Sequence, residues 1–174
     1  MTRLAIDAMR SNTLAALVLR LVLAAAVALP CCALAQDAAL PPAKDTIFAR
    51  KILMGAIDMN MDEIETMLAP EGKLDLGEGQ EHAETISTML MAFPHMFPAS
   101  TNQWKAGVEH DPAMDTFASP AVWTNMADFY ARATAASKTA FEASRAKRAD
   151  AFRPLIVQLR LQCNACHAIY MKTE

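Results

Sequence analysis

Residues 161–174 read LQCNACHAIYMKTE. On a helix, Cys163, Cys166 and His167 stand at i, i+3 and i+4, so their side chains leave one face. That geometry suits a flat macrocycle lying along the helix. Each thiol can add to one vinyl group of a haem, and the adjacent imidazole can then reach the iron. C-x-x-C-H is the spacing of c-type haem attachment. Dithiol redox sites also use a cysteine pair spaced this way, normally at a helix N-terminus beside a sheet that stabilises the thiolate. Zinc would need further ligands, and the other histidines, His82, His95 and His110, show no metal spacing.

Outward from the motif, the chain reads as helix. Leu155, Leu159, Cys163, Cys166 and Tyr170 form one stripe at spacings of four, four, three and four. They predict a helix capped by Asp150 and running to about Lys172, with Pro154 still in its tolerated first turn. Before it, "SPAVW" (119–123) places Ser119 as N-cap and Pro120 at the first helical position, where its missing N–H costs nothing. That helix reaches roughly Arg145, with Val122, Trp123, Met126, Phe129 and Tyr130 on its apolar face. An earlier helix spans about Gly79 to Ala92, with Ala83, Ile86 and Leu90 inward. The first runs from Asp45 to Leu68, with Ile47, Phe48, Leu53, Met54, Ile57, Met61, Ile64 and Leu68 spaced by threes and fours. Pro70 and Gly72 stop it. Strand-like alternation is missing. The sum is an all-α, antiparallel four-helix bundle, whose long middle connection (93–118) is expected to cross the bundle rather than float free.

The first 35 residues read as a separate segment. Arg3, Arg10 and Arg20 precede the apolar run Leu21–Leu29, and Ala33-Leu34-Ala35 supplies an A-x-A cleavage pattern. That is the layout of a secretory signal peptide, and the run is well short of the ~20 residues a membrane span needs. Pro30 stands where a lipoprotein site at Cys31 or Cys32 would want a small residue. Cleavage near Ala35 leaves residues 36–174 as one domain and moves the net charge from −3 to −5. Only Cys163 and Cys166 then remain. Two cysteines this close cannot staple a domain together, so export points them to local chemistry. The mild acidity, without any Lys/Arg-rich run, gives no support for nucleic-acid binding. No nucleophile–base pair, phosphate loop or carboxylate dyad suggests an enzyme.

With these features the chain resembles the class II c-type cytochromes, the cytochrome c′ family with its low-spin, methionine-ligated relatives. The resemblance covers essentially residues 36–174. It rests on the C-terminal C-x-x-C-H with Tyr170 after it, "RKILM" on the first helix, "FPHMFPAS" after the second and "SPAVW" opening the third. It implies a haem c with its iron, one per chain, inside the bundle. It also implies thioethers at Cys163 and Cys166 and His167 as proximal ligand. Family members usually carry Arg or Lys after the aromatic, whereas this chain has Met171 and then Lys172.

The same resemblance assigns the distal face to the first helix. Arg50 matches the family's first-helix arginine and is read as a propionate contact, and Met54, four residues on, holds the distal position. A methionine there either binds iron, giving low-spin haem suited to electron transfer, or only covers the distal side and leaves iron open to NO or CO. Met59 and Met61 are the fallback, expected to project elsewhere along the helix, since methionine is also a common core filler. His82, His95 and His110 read as solvated, and Trp123 and Phe129 as packing. The expectation is thus a periplasmic electron carrier acting on redox partner proteins. The alternative is a five-coordinate cytochrome c′ that sequesters gas, and a haem-free dithiol oxidoreductase is weaker still. Relatives include homodimers built on the first two helices, and monomers.

Overall fold

A computed structural model describes residues 41–111 and 115–172. The expected signal peptide lies outside the described residues. Helix α1 covers Ala43–Leu68, α2 Leu76–Ala92, α3 Ala121–Thr124, α4 Met126–Ser144 and α5 Ala149–Tyr170; short 3-10 turns at Phe93–Met96 and Ala99–Thr101 follow α2. The chain is a four-helix bundle, with α3 and α4 together making the third arm. They separate at Asn125, whose φ of −125° and ψ of 40° interrupt the helix that the sequence suggested as continuous.

Helix starts differ from expectation by local chemistry. Asp75 caps α2, its carboxylate accepting from the N–H groups of Gly77 (2.9 Å) and Glu78 (3.2 Å), so α2 begins three residues before Gly79. Asp150 does not cap α5. Its carboxylate is taken by the Arg148 guanidinium at 2.7 and 3.0 Å, the helix starts at Ala149, and Pro154 lies inside it rather than in its first turn. Ser119 does accept from the N–H of Ala121 at 3.2 Å, but the helix begins at Ala121, with Pro120 at its cap rather than at its first position. In the turn after α1, a Cβ on Gly72 would come within 2.2 Å of the Thr66 carbonyl oxygen, which only glycine escapes.

Packing runs α1 on α2, α2 on α4 and α4 on α5, whereas the backbones of α1 and α5 rarely approach each other. One apolar cluster fills the end of the bundle away from the C-x-x-C-H triad: Ile57, Met61 and Ile64 of α1, Ile86 of α2, Ala140 of α4, and Phe152, Ile156 and Leu159 of α5. Gly79 lets α2 pass close to α5, since a Cβ there would sit 3.0 Å from the Phe152 ring. A second cluster of Phe97, Val122, Phe129 and Tyr170 fills the other end. The middle connection is anchored over that end. The Trp123 indole N–H donates to the Phe97 carbonyl at 3.0 Å, Lys51 donates to the Asp115 carbonyl at 2.9 Å, and an antiparallel bridge pairs Ala118 with Met171. No helix among the described residues is long and apolar enough to cross a membrane.

Candidate functional site

Between the two clusters the bundle opens around a cavity of about 480 Å³, within the range of pre-formed small-molecule sites. Cys163, Cys166 and His167 of α5 line one wall, as their shared helical face requires. Met54, Ile57 and Met61 of α1 line another, and Phe97, Val122 and Phe129 close the end beneath the middle connection. The structure thus brings the whole C-terminal triad together with Met54 and Arg50.

Electrostatics fit a group bound through sulfur and nitrogen. Burial pushes the Cys166 thiol up to about 11 and raises Cys163 as well. A dithiol oxidoreductase needs the opposite, a thiolate stabilised near neutral pH. Burial lowers the His167 pKa, which keeps its imidazole neutral and available as a ligand.

Arg50 is 4% exposed, and its guanidinium donates to the Thr101 hydroxyl at 2.9 Å, to the Thr101 carbonyl at 3.4 Å and to the Thr116 hydroxyl. It also lies over the Phe97 ring, 4.5 Å from the centroid. None of these partners is a carboxylate, and burial pulls its pKa well down, to about 10. A buried cation that lines a cavity with no counter-charge among the described residues suits an anionic substituent on whatever fills that cavity. With apolar walls, two thiols and an imidazole beside it, this donor set fits a haem and its propionates.

Other sequence expectations come out unevenly. Met61 stands seven residues after Met54, so it shares the same helical face and lines the cavity, 2% exposed, instead of projecting elsewhere. Met59 points out, 70% exposed. His95 is exposed, edge-on to Tyr130. His82 is half-buried and bonds Asn60 at 2.8 Å, while His110 stacks on Trp104. Among the described residues none of these three lines the cavity. Phe129 lines it, whereas Trp123 packs behind Phe97.

Sequence reading missed the charged and aromatic residues that complete the wall. Phe93, Phe97 and Phe117 come from the middle connection and its approach, where no helical period could flag them. Arg132 enters from α4, held by Asp128 at 2.7 Å, and Asp128 also accepts from the Tyr170 hydroxyl at 2.5 Å. Arg160 enters from α5, forked onto Glu65 at 2.6 and 2.7 Å. Its i+3 relation to Cys163 is the one signal that could have marked it.

Among solved structures, the cytochrome c prime from Shewanella frigidimarina is 20% identical, with a TM-score of 0.64, covering 75% of this chain and 96% of that one. The cytochrome c′ from Rubrivivax gelatinosus is 21% identical at a TM-score of 0.64, covering 76% and 98%. A nitric oxide complex of a mutant cytochrome c prime from Alcaligenes xylosoxidans is 18% identical at 0.62, covering 76% and 98%. These likenesses support the fold. No curated protein matches the chain. Residues 45–171 match the family model for cytochrome c′, and the chain therefore belongs to the cytochrome c′ family, whose proteins carry one covalently bound haem c per chain.

Proposed function

We propose that this cytochrome is a periplasmic one-electron carrier in which Cys163 and Cys166 hold the haem through thioethers, with His167 as proximal and Met54 as distal iron ligand. The observation that carries this reading is that Met54 on α1 and His167 on α5 line one cavity from two different helices. When bound, the haem supplies one-electron chemistry, at a potential that methionine ligation raises. His167 offers a neutral imidazole, and Arg50 a buried cation for a propionate. Phe97, Val122 and Phe129 keep water from that end of the site. The N-terminal A-x-A pattern supports export with cleavage near Ala35, in keeping with a family whose members are periplasmic. Redox proteins of the same compartment are its partners. The exposed apolar row Phe48, Ile52 and Met59 on α1 supports a homodimer through that helix.

The second reading is five-coordinate iron that takes up NO or CO, with Met54 only screening the distal side. It is favoured by the company Met54 keeps: Met61 and Ile57 share its wall, so the thioether there is also ordinary packing. The nitric oxide complex of the Alcaligenes relative adds precedent. An optical spectrum of the dithionite-reduced protein, before and after carbon monoxide, separates the two. Sharp, split visible bands unmoved by carbon monoxide are expected. Broad bands with an immediate shift would put gas binding first.

A further inference from the structure

Helices α1 and α5, which line the cavity from two walls, are not close neighbours in backbone packing. At the end away from the haem motif their side chains meet in the core, through Ile57, Met61 and Ile64 against Phe152, Ile156 and Leu159. Beyond Leu159, towards Cys163, that apolar contact gives way to the cavity. Arg160 stands at this boundary. It forks onto Glu65 at 2.6 and 2.7 Å, and its other contacts are Asp58 at 3.7 Å and Asp62 at 3.6 Å. One guanidinium thus spans three carboxylates along two turns of α1. Arg160 and Asp58 both line the cavity, and Asp58 is one helical turn from Met54. Among the described residues, the other polar tie between these helices is the Arg153 bond to the Leu68 carbonyl, a long 3.4 Å at the far end.

We propose that Arg160, with Glu65, Asp58 and Asp62, is a positioning clamp that fixes the gap between α1 and α5 and thereby the reach of Met54 to the iron. The inference rests on the His167/Met54 reading of the site. A lone surface ion pair contributes little, but a bidentate arginine joined to several carboxylates is the exception. Arg160 is also only 30% exposed at its side chain, so water competes incompletely. At the cavity α1 is held by its packing on α2 and by Arg50, not by α5, so releasing the fork frees its α5-facing side to shift. A thioether–iron bond is weak and directional, so a small drift shifts ligation before it unfolds the bundle.

The test uses the haem-loaded protein, wild type, Glu65→Gln and Arg160→Gln, each also carrying Glu63→Cys. Cys163 and Cys166 are consumed in thioethers, so a nitroxide label at residue 63 is unique, and relaxation by ferric iron reports the α1–haem distance. Glu65→Gln and Arg160→Gln are expected to raise the high-spin fraction severalfold and lengthen the label–iron distance. Wild type in 1 M salt should move the same way, while Glu65→Gln responds less, because salt screens exposed charge pairs. An unchanged distance in both variants overturns the clamp, whatever the spin state. A spectrum identical between wild type and Met54→Ala overturns Met54 ligation instead, and the label distance still decides the clamp.

Discussion

The cavity separates two kinds of residue, those that would bond to the cofactor and those that make its presence tolerable. Cys163, Cys166 and His167 belong to the first kind. Cys163→Ala and Cys166→Ala should each leave haem held by a single thioether, and the double substitution by none. Haem staining after denaturation would show a weakened band in the singles and none in the double; full staining in the double would remove both from the attachment. Arg50 belongs to the second kind. Burial holds its pKa down at about 10, so the folded chain carries the charged form at a cost throughout lower pH. That cost is fully present below about pH 10 and fades only as pH rises beyond it. An anionic propionate would offset it. Arg50→Gln should therefore cost the haem-loaded protein about 1.5–3 kcal/mol, the worth of a hydrogen bond to a charged group. In the double cysteine variant stripped of haem it should be near neutral. Urea melts of both forms give the comparison, and equal losses would mean that Arg50 serves Thr101 and Thr116 rather than a propionate.

At the scale of the element, the amphipathic periods located every helix, because burial of one face dominates a bundle. Boundaries and breaks depended on chemistry that periodicity does not carry. Asp75 is one such case. It caps α2 through two N–H groups, and its loss leaves them without an acceptor in the fold. Asp75→Ala should cost about 1 kcal/mol and lower the melting temperature by a few degrees, with the haem spectrum unchanged. A shifted spectrum would mean that the cap also governs the site. Asp150 had the same sequence credentials but is occupied by Arg148, which a residue-by-residue reading cannot foresee. That Cys163, Cys166 and His167 share one wall was legible because all three lie on one helix. Arg132, Arg160 and Phe117 were not, because they reach the cavity only after α4, α5 and the middle connection have packed.

The whole molecule is held by two clusters of different character. One is a continuous, mainly aliphatic core built around the fully buried Phe152 and Leu159; the other is an aromatic arch over the cavity, tied down by polar contacts from Arg50, Lys51 and Trp123. The first buries most of its apolar surface against itself, with Ile57, Met61 and Ile86 also bordering the cavity. The second buries Arg50 with no counter-charge among the described residues and borders a cavity whose walls lack partner atoms. The arch should therefore depend on the cofactor while the core does not. Hydrogen exchange on the double cysteine variant stripped of haem tests this directly. Amides of α2 near Ile86, and of α5 near Ile156, should keep most of their protection. Those of residues 97–111, 115–119 and the last turn of α5 should exchange faster by a factor of ten or more, as locally opened segments do. Core and arch would then melt as separate units, and Phe152→Ala, at about 3–5 kcal/mol, would unfold the stripped chain while leaving the haem-loaded one folded. Uniform loss of protection across both ends would mean instead that the bundle is one cooperative unit, with the haem as part of its core.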